Sequence, residues 1–281
     1  PEVITRVHRS TIVQTDGVGG EEALHLERML AASLTMGPAS YFCLESAALV
    51  HGLPLWSPHL DKVHVVLTAG GHGNETRWIH RYRSPKRSPS IAVIDGLPVT
   101  SLERTAADLM RRLRFGPALA VADAALRGGA SRLVLTEEVR TGRGCRHAGE
   151  AVRRADPRSE SPYESLARAL FLQHDLPLPE LQAEFADAWG FVGRTDFYWP
   201  RHRLIGEFDG AVKYSALLQP GQTLEDVLAA QSARQGRLEA MGYRVVRWGC
   251  ADLHDEPAFV AGLSPLLGHR LGDVGSARVD H

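Results

Sequence analysis

The sequence predicts two domains of mixed α and β content: an α+β unit, then a layered α/β unit running helix, three antiparallel strands, helix, strand. Three observations carry that reading. An Arg- and Gly-rich stretch from about Thr141 to Ser159 breaks the apolar periodicity near the middle of the 281 residues. Before it, helix-spaced and strand-spaced segments are mixed; after it, they follow one another in a clean order. The boundaries drawn from this are 1–14 for a short lead-in, 15–150 for the first domain, 151–267 for the second and 268–281 for a loose tail without apolar period.

In chain order, "PEVITRVHRSTIVQ" is β-branched and basic and reads as a short strand or pair of strands. "EEALHLERMLAASL" has helical spacing at Leu24, Leu26, Leu30 and Leu34, and "LESAALVHGL" reads as a second helix stopped at Gly52. "KVHVVLT" and "RWIHRYR" are expected strands, separated by the glycine-rich loop "AGGHGNE". Thr100 with Glu103 three residues on has the pattern of a capping box at the start of the helix "LERTAADLM". "PALAVADAALRGG" is a further helix ended by a glycine pair.

The second domain opens with "SPYESLARALFLQHD", a helix with Pro162 in its first turn. "LQAEFAD", "FVGRTDFYW" and "HRLIGEFD" read as three strands, the last after a turn at Pro200. "TLEDVLAAQSARQGRLEAMG" is a long helix closed by Gly242, and "YRVVRW" a fourth strand.

Composition excludes several classes. With 44% hydrophobic and 23% charged residues the chain is expected to be globular. No apolar run approaches the ~18–20 residues of a membrane span, and no signal peptide is indicated. Cys43, Cys145 and Cys250 are an odd number at unrelated spacings, so a reducing cytoplasm is expected rather than a disulfide framework. The chain opens on Pro1, from which an upstream segment is expected.

Residues 151–281 carry 14 Lys+Arg against 18 Asp+Glu, and residues 1–150 carry 18 against 15, so charge alone does not announce nucleic acid. Lysine is confined to Lys62, Lys86 and Lys213, which makes Lys213 informative. His51, His64 and His80 match no metal-ligand spacing. The run Arg111 to Arg114 reads as a helix end complementing its dipole, and Trp189, Trp199 and Trp248 as core or rim packing.

One constellation carries chemistry. Period two places Arg194, Asp196 and Tyr198 on one face of their strand, and Ile205, Glu207 and Asp209 on one face of the next. A hairpin around "PRHR" pairs Trp199 with Leu204 and sets Asp196 opposite Glu207. Two like charges so placed destabilise a sheet unless a cation lies between them, and a hard divalent ion takes such carboxylates. With Lys213 nearby, the set suggests phosphodiester hydrolysis assisted by Mg²⁺ or Mn²⁺. Asp209 followed by Gly210 reads equally well as a turn, and Glu164 as a first-turn glutamate favoured by the helix dipole.

The order "YESLAR", "GRTDFYW", "LIGEFDGAVKY", a helix and "GYRVVRW" resembles the restriction-endonuclease-like PD-(D/E)XK family, in the group related to very-short-patch-repair endonucleases. The resemblance spans Ser159 to Leu253. It implies Asp196 and Glu207 as metal ligands, with Glu164, Asp209 and Lys213 as further catalytic groups. It also turns Arg194, Gln231 and Arg234 toward a DNA substrate. The chain departs from the pattern in having Asp209 where a lysine is usual, and "QSARQG" where a charged cluster is expected.

The first half, through "LESAALVHGLP" and "DGLPVTSLERTAADL", is similar to the regulatory domain of AbiEi-type antitoxins of type IV toxin–antitoxin systems. That resemblance makes "TRVHRSTIV" the remnant of a winged-helix wing and adds a cognate toxin, or another protein partner, to DNA. Two functions stand side by side: a metal-dependent DNA endonuclease, and a DNA-binding regulator or antitoxin with a catalytically silent nuclease fold.

Overall fold

The computed structural model describes residues 3–8, 11–15, 20–56, 60–68, 73–84, 90–210 and 223–268. Lys213, Lys86, part of the glycine-rich loop and all but the first residue of the expected tail lie outside them. The chain divides into two compact units, Pro1–Pro157 and Arg158–His281. No helix among the described residues is long and apolar enough to cross a membrane.

The first unit opens with β1 (Val3–His8) and β2 (Thr11–Thr15), an antiparallel hairpin. There follow α1 (Glu21–Ser33), β3 (Ser40–Phe42), α2 (Leu44–His51), β4 (Val63–Leu67), β5 (Ile79–Arg83), β6 (Ile91–Ile94) and β7 (Leu97–Thr100). Four helices complete it: α3 (Leu102–Met110), α4 (Phe115–Arg127), α5 (Arg132–Val139) and α6 (Cys145–Arg154). The five-stranded sheet is mixed, in the order β5-β4-β3-β7-β6. Met29 and Ala32 of α1 and Ala47 of α2 close with Phe42, Val63, Val65, Ile79 and Val99 into one buried cluster. His25 is buried with it, its ring satisfied by the Leu60 carbonyl at 2.9 Å and the Ser46 hydroxyl at 2.8 Å; burial holds its pKa below the ordinary value.

Several expectations need correction here. The cap of α3 is Ser101, whose hydroxyl accepts the Arg104 N–H, and not Thr100. Thr100 ends β7 and bonds the Thr105 hydroxyl at 2.7 Å, while Glu103 accepts the Ser131 N–H at 3.1 Å. The stretch read as a boundary contains α6, which buries Ala148, Ala151 and Val152, one helical stripe that its arginines conceal in the sequence. The short strands β3, β6 and β7 and the helix α5 were not expected at all.

The second unit is α7 (Pro162–Gln173), β8 (Glu180–Asp187), β9 (Gly190–Trp199), β10 (Leu204–Phe208), α8 (Leu224–Ala240) and β11 (Arg244–Trp248). Two short helices, α9 (Cys250–His254) and α10 (Glu256–Leu263), follow. The sheet order is β11-β10-β9-β8, antiparallel through β8, β9 and β10, with β11 parallel to β10. The two long helices start where the sequence supplies a cap: the Ser161 hydroxyl accepts the Glu164 N–H, and Thr223 with Asp226 forms a reciprocal capping box. Past α8, Gly242 turns the chain at a φ of +84°, a left-handed conformation that favours glycine.

One face of this sheet, with Phe197, Trp199, Leu204 and Trp248, packs on Ala167, Leu170 and Phe171 of α7 and on Phe259 of α10. The Phe171 ring meets Phe197 and Trp199 edge-on at 5.5 and 5.4 Å. The other face, with Phe185, Val192 and Ile205, packs on Leu238 of α8. Trp189 belongs to neither: it lies at the two-residue tip between β8 and β9 and is 84% exposed, against the expectation that it packs. Both oxygens of Asp187, at the base of that tip, accept the Arg237 guanidinium at 2.6 and 2.7 Å.

Gly206 occupies the middle of β10, where a Cβ would come within 2.7 Å of the Trp248 ring and 3.1 Å of the Trp199 ring. Gly206→Ala is therefore expected to cost about 1–3 kcal/mol through overpacking, measured as a lowered urea midpoint. The guanidinium of Arg237, with help from the Trp189 N–H, holds the Asp187 carboxyl below its ordinary value of 3.8. A depressed carboxylate stabilises fully above its unfolded pKa and loses that contribution as pH falls through the folded value. Wild type should accordingly outlast Asp187→Asn in thermal melts above about pH 5, the advantage being lost as pH falls through the folded value.

Candidate functional site

Asp196 lies on β9, between two neighbouring strands. The pairs Leu181–Phe197 and Ala183–Thr195 bracket Gln182 beside it on β8. On β10 the ladder runs Leu204–Trp199, Ile205–Tyr198 and Gly206–Phe197, the register expected from the hairpin, and Glu207 is the next residue. Asp196 Oδ2 accepts the Phe208 N–H at 2.8 Å, so the carboxylate ties β9 to the end of β10.

Glu207 is 8% exposed and shares the strand face of Ile205, toward α8. Its Oε1 accepts Arg234 of α8 at 2.6 Å. Its Oε2 accepts both Nε and a terminal nitrogen of Arg247 at 3.0 Å, and Arg247 is its registered partner on β11. Arg234 also donates to the Arg194 carbonyl at 2.7 Å, and Arg247 to Gln235 Oε1 at 2.8 Å. A Cβ at Gly193 would lie within 3.2 Å of Arg234 Cδ, so glycine makes room for this arginine to cross the sheet. A carboxylate so far from water requires partners of this kind, and two guanidinium groups satisfy both its oxygens.

Glu164 lies in the first turn of α7, the helix packed on the opposite face of the sheet, and is 5% exposed. Its Oε2 accepts the Glu160 N–H at 2.9 Å and Gln182 Nε2 at 3.0 Å. Gln182 holds a φ of +56°, a left-handed conformation that costs a non-glycine residue about 1 kcal/mol or more.

The remaining expected residues are less concentrated. Arg194 pairs with Glu160 at 2.7 Å, both near half exposed, a surface pair of little energetic weight. Asp209 is half-buried just past β10, its N–H donated to the Trp248 carbonyl at 2.8 Å. Gln231 is half-buried on α8, one turn before Arg234. Lys213 lies outside the described residues. Arg247 and Gln182 are the members that sequence reasoning missed. Arg247 becomes Glu207's partner only through the parallel register of β11, and nothing in "ELQAEFAD" marks a left-handed glutamine.

As placed, Glu207 does not fit a hard divalent ion, which needs oxygen lone pairs directed at it. Glu207 has spent both oxygens on arginine, and Glu164 Oε2 and Asp196 Oδ2 on N–H donors. Among the described residues no group of three His, Cys, Asp or Glu is arranged to hold a metal. Two arginines on one carboxylate leave a net positive charge, suited to a phosphate contact.

The arginine pair makes a quantitative prediction. Arg247→Ala strips Glu207 of its bidentate partner and is expected to cost about 3 kcal/mol in urea unfolding. The double variant Arg247→Ala/Glu207→Gln should cost less than the sum of its parts by about 1–3 kcal/mol. Simple additivity would show that the two side chains do not interact.

No protein-family model matches the chain. Two relatives do, both in Mycobacterium tuberculosis: Uncharacterized protein MT2308 of strain CDC 1551 / Oshkosh and Uncharacterized protein Rv2248 of strain ATCC 25618 / H37Rv. Each is 31% identical over 242 residues, a match covering 84% of this chain and 84% of the relative. Identity at that level over so much of both chains places this protein in one family with MT2308 and Rv2248.

Proposed function

We propose that the chain is a DNA-binding regulator of the antitoxin class, whose second unit keeps a restriction-endonuclease-like PD-(D/E)XK fold without hydrolysing phosphodiester bonds. The observation that carries this reading is the engagement of both Glu207 oxygens by Arg234 and Arg247. A carboxylate clamped in this way organises two cations, both its oxygens already accepting from guanidinium groups. The antiparallel pairing of β1 with β2 supports the wing of a winged helix, an element that positions on phosphates. The class brings a cognate toxin, or another protein, as the second partner. A cytoplasmic setting fits Cys43, Cys145 and Cys250, all free thiols.

A second reading, the metal-dependent endonuclease using Mg²⁺ or Mn²⁺, is favoured by one observation. Gln182, the strained residue, lies beside Asp196, and backbone strain concentrates at functional sites.

Incubating supercoiled plasmid and single-stranded DNA with the full chain, with Mg²⁺ and then Mn²⁺, separates the two. The regulator reading expects retarded but intact DNA, with a steep loss of binding as salt rises. Cleavage by the wild type that Asp196→Ala abolishes would instead establish the endonuclease.

A further inference from the structure

In the first unit a cavity of about 520 Å³ opens between the β3–α2 junction, β4, β5 and α3. Its apolar floor is Cys43, Leu44 and Val66, all buried. Thr100 and Ser84 add hydroxyl groups, and four arginines line it: Arg104, Arg111, Arg112 and Arg143.

These arginines divide into two pairs. Arg104 and Arg111 grip the two oxygens of Asp108 at 2.6 and 2.8 Å, and Arg104 lies 3.6 Å from Glu138, so their charge is balanced within the protein. Arg112 and Arg143 are exposed, and among the described residues neither forms an ion pair. Arg112 lies over the ring of Tyr82, 5.6 Å from its centroid. Arg143 is presented by "TGRG", a turn in which Gly142 and Gly144 take φ of +99° and +77°. Any side chain at Gly144 would meet the Arg111 backbone, its Cβ 3.1 Å from Arg111 Cα, so the turn is held close to α3.

Two further features show a site prepared ahead of its ligand. Arg111 Nε is buried with no hydrogen-bond partner, a cost that a protein rarely leaves standing. Leu44, at the start of α2, holds a φ of +51°, an uncommon conformation for a bulky residue and one that concentrates at ligand clamps. The Cys43 cap before it supplies no side-chain acceptor to the helix N–H groups. Of the acids, Asp108 lines the cavity between Arg104 and Arg111, and Glu45 lies 3.6 Å from His64.

We propose that this cavity binds a small phosphate monoester with an uncharged, largely apolar or aromatic body. A phosphate monoester carries about −1.5 to −2 charges at neutral pH, which matches the two unbalanced guanidinium groups, and arginine forks suit its oxygens. The volume lies within the range of small-molecule sites, about 300–1,000 Å³, and leaves room beyond the phosphate for a body lying on Leu44 and Val66. This site lies within the first unit and is independent of whether the second unit cleaves DNA.

Calorimetric titration of the full chain with AMP and with phenyl phosphate tests the proposal, with inorganic phosphate, adenosine and a 5′-phosphorylated single-stranded oligonucleotide as controls. At least one of the two monoesters should bind with one site per chain, at least tenfold more tightly than inorganic phosphate or adenosine. Arg112→Gln and Arg143→Ala, both at exposed positions, should each weaken binding at least tenfold while melting like the wild type without ligand. Arg201→Ala, in the second unit, should leave it unchanged. Binding of neither monoester, or binding that both arginine variants retain, overturns the site. So does an oligonucleotide that binds through these arginines when the monoesters do not, because the cavity would then be reading nucleic-acid phosphate.

Discussion

The Glu207 carboxylate between Arg234 and Arg247 is the interaction on which the second unit depends. It joins three consecutive elements, β10, α8 and β11, at the point where a parallel strand is added to an antiparallel sheet. Hydrophobic packing on Leu238 or Phe171 is tolerant of small displacements, whereas a desolvated carboxylate held by two guanidinium groups is not. The pair thus sets the register of β11 against β10 as well as the local charge. The aromatic layer on the opposite face follows from that register, because it brings Trp248 alongside Phe208 and over Gly206.

The same interaction decides how the acidic residues are used. Carboxylates on adjacent strands of a sheet suggest a shared cation, and here the cation is supplied by the chain. Arginine as counter-ion has a consequence that a metal does not: the guanidinium groups remain partly accessible and present positive charge outward. The first unit uses arginine in a comparable division of labour, with Arg104 and Arg111 locked on Asp108 while Arg112 and Arg143, beside an apolar floor, form no ion pair among the described residues. In each unit an acid fixes some arginines in place, and the charge left over faces solvent or a cavity.

Much of the second unit was legible in the sequence because its signals are local. Pro162 in the first turn of its helix, Gly242 after the long helix, the alternation in "FVGRTDFYW" and the turn at Pro200 gave the elements and the Trp199–Leu204 register directly. The partners of Glu207 were not legible, since Arg247 meets it only once a strand forty residues later lies parallel to β10. In the first unit β3, β6 and β7 have three or four residues each, too few to show a period, and α6 hides its buried alanines among arginines. Ser101 displaced Thr100 as the cap because Thr100 was already engaged by Thr105 at the end of a strand. Trp189, expected to pack, is exposed because a two-residue hairpin tip has no surface to cover it.

Under the proposed function Glu207 is a ligand for arginine and not for a metal. Titrating the full chain with Mn²⁺ and counting bound ion by electron paramagnetic resonance tests it most directly. No stoichiometric site is expected at submillimolar Mn²⁺, and the spectrum should be unchanged by Asp196→Ala or Glu207→Gln. One tightly bound Mn²⁺ per chain that disappears in both variants would contradict it.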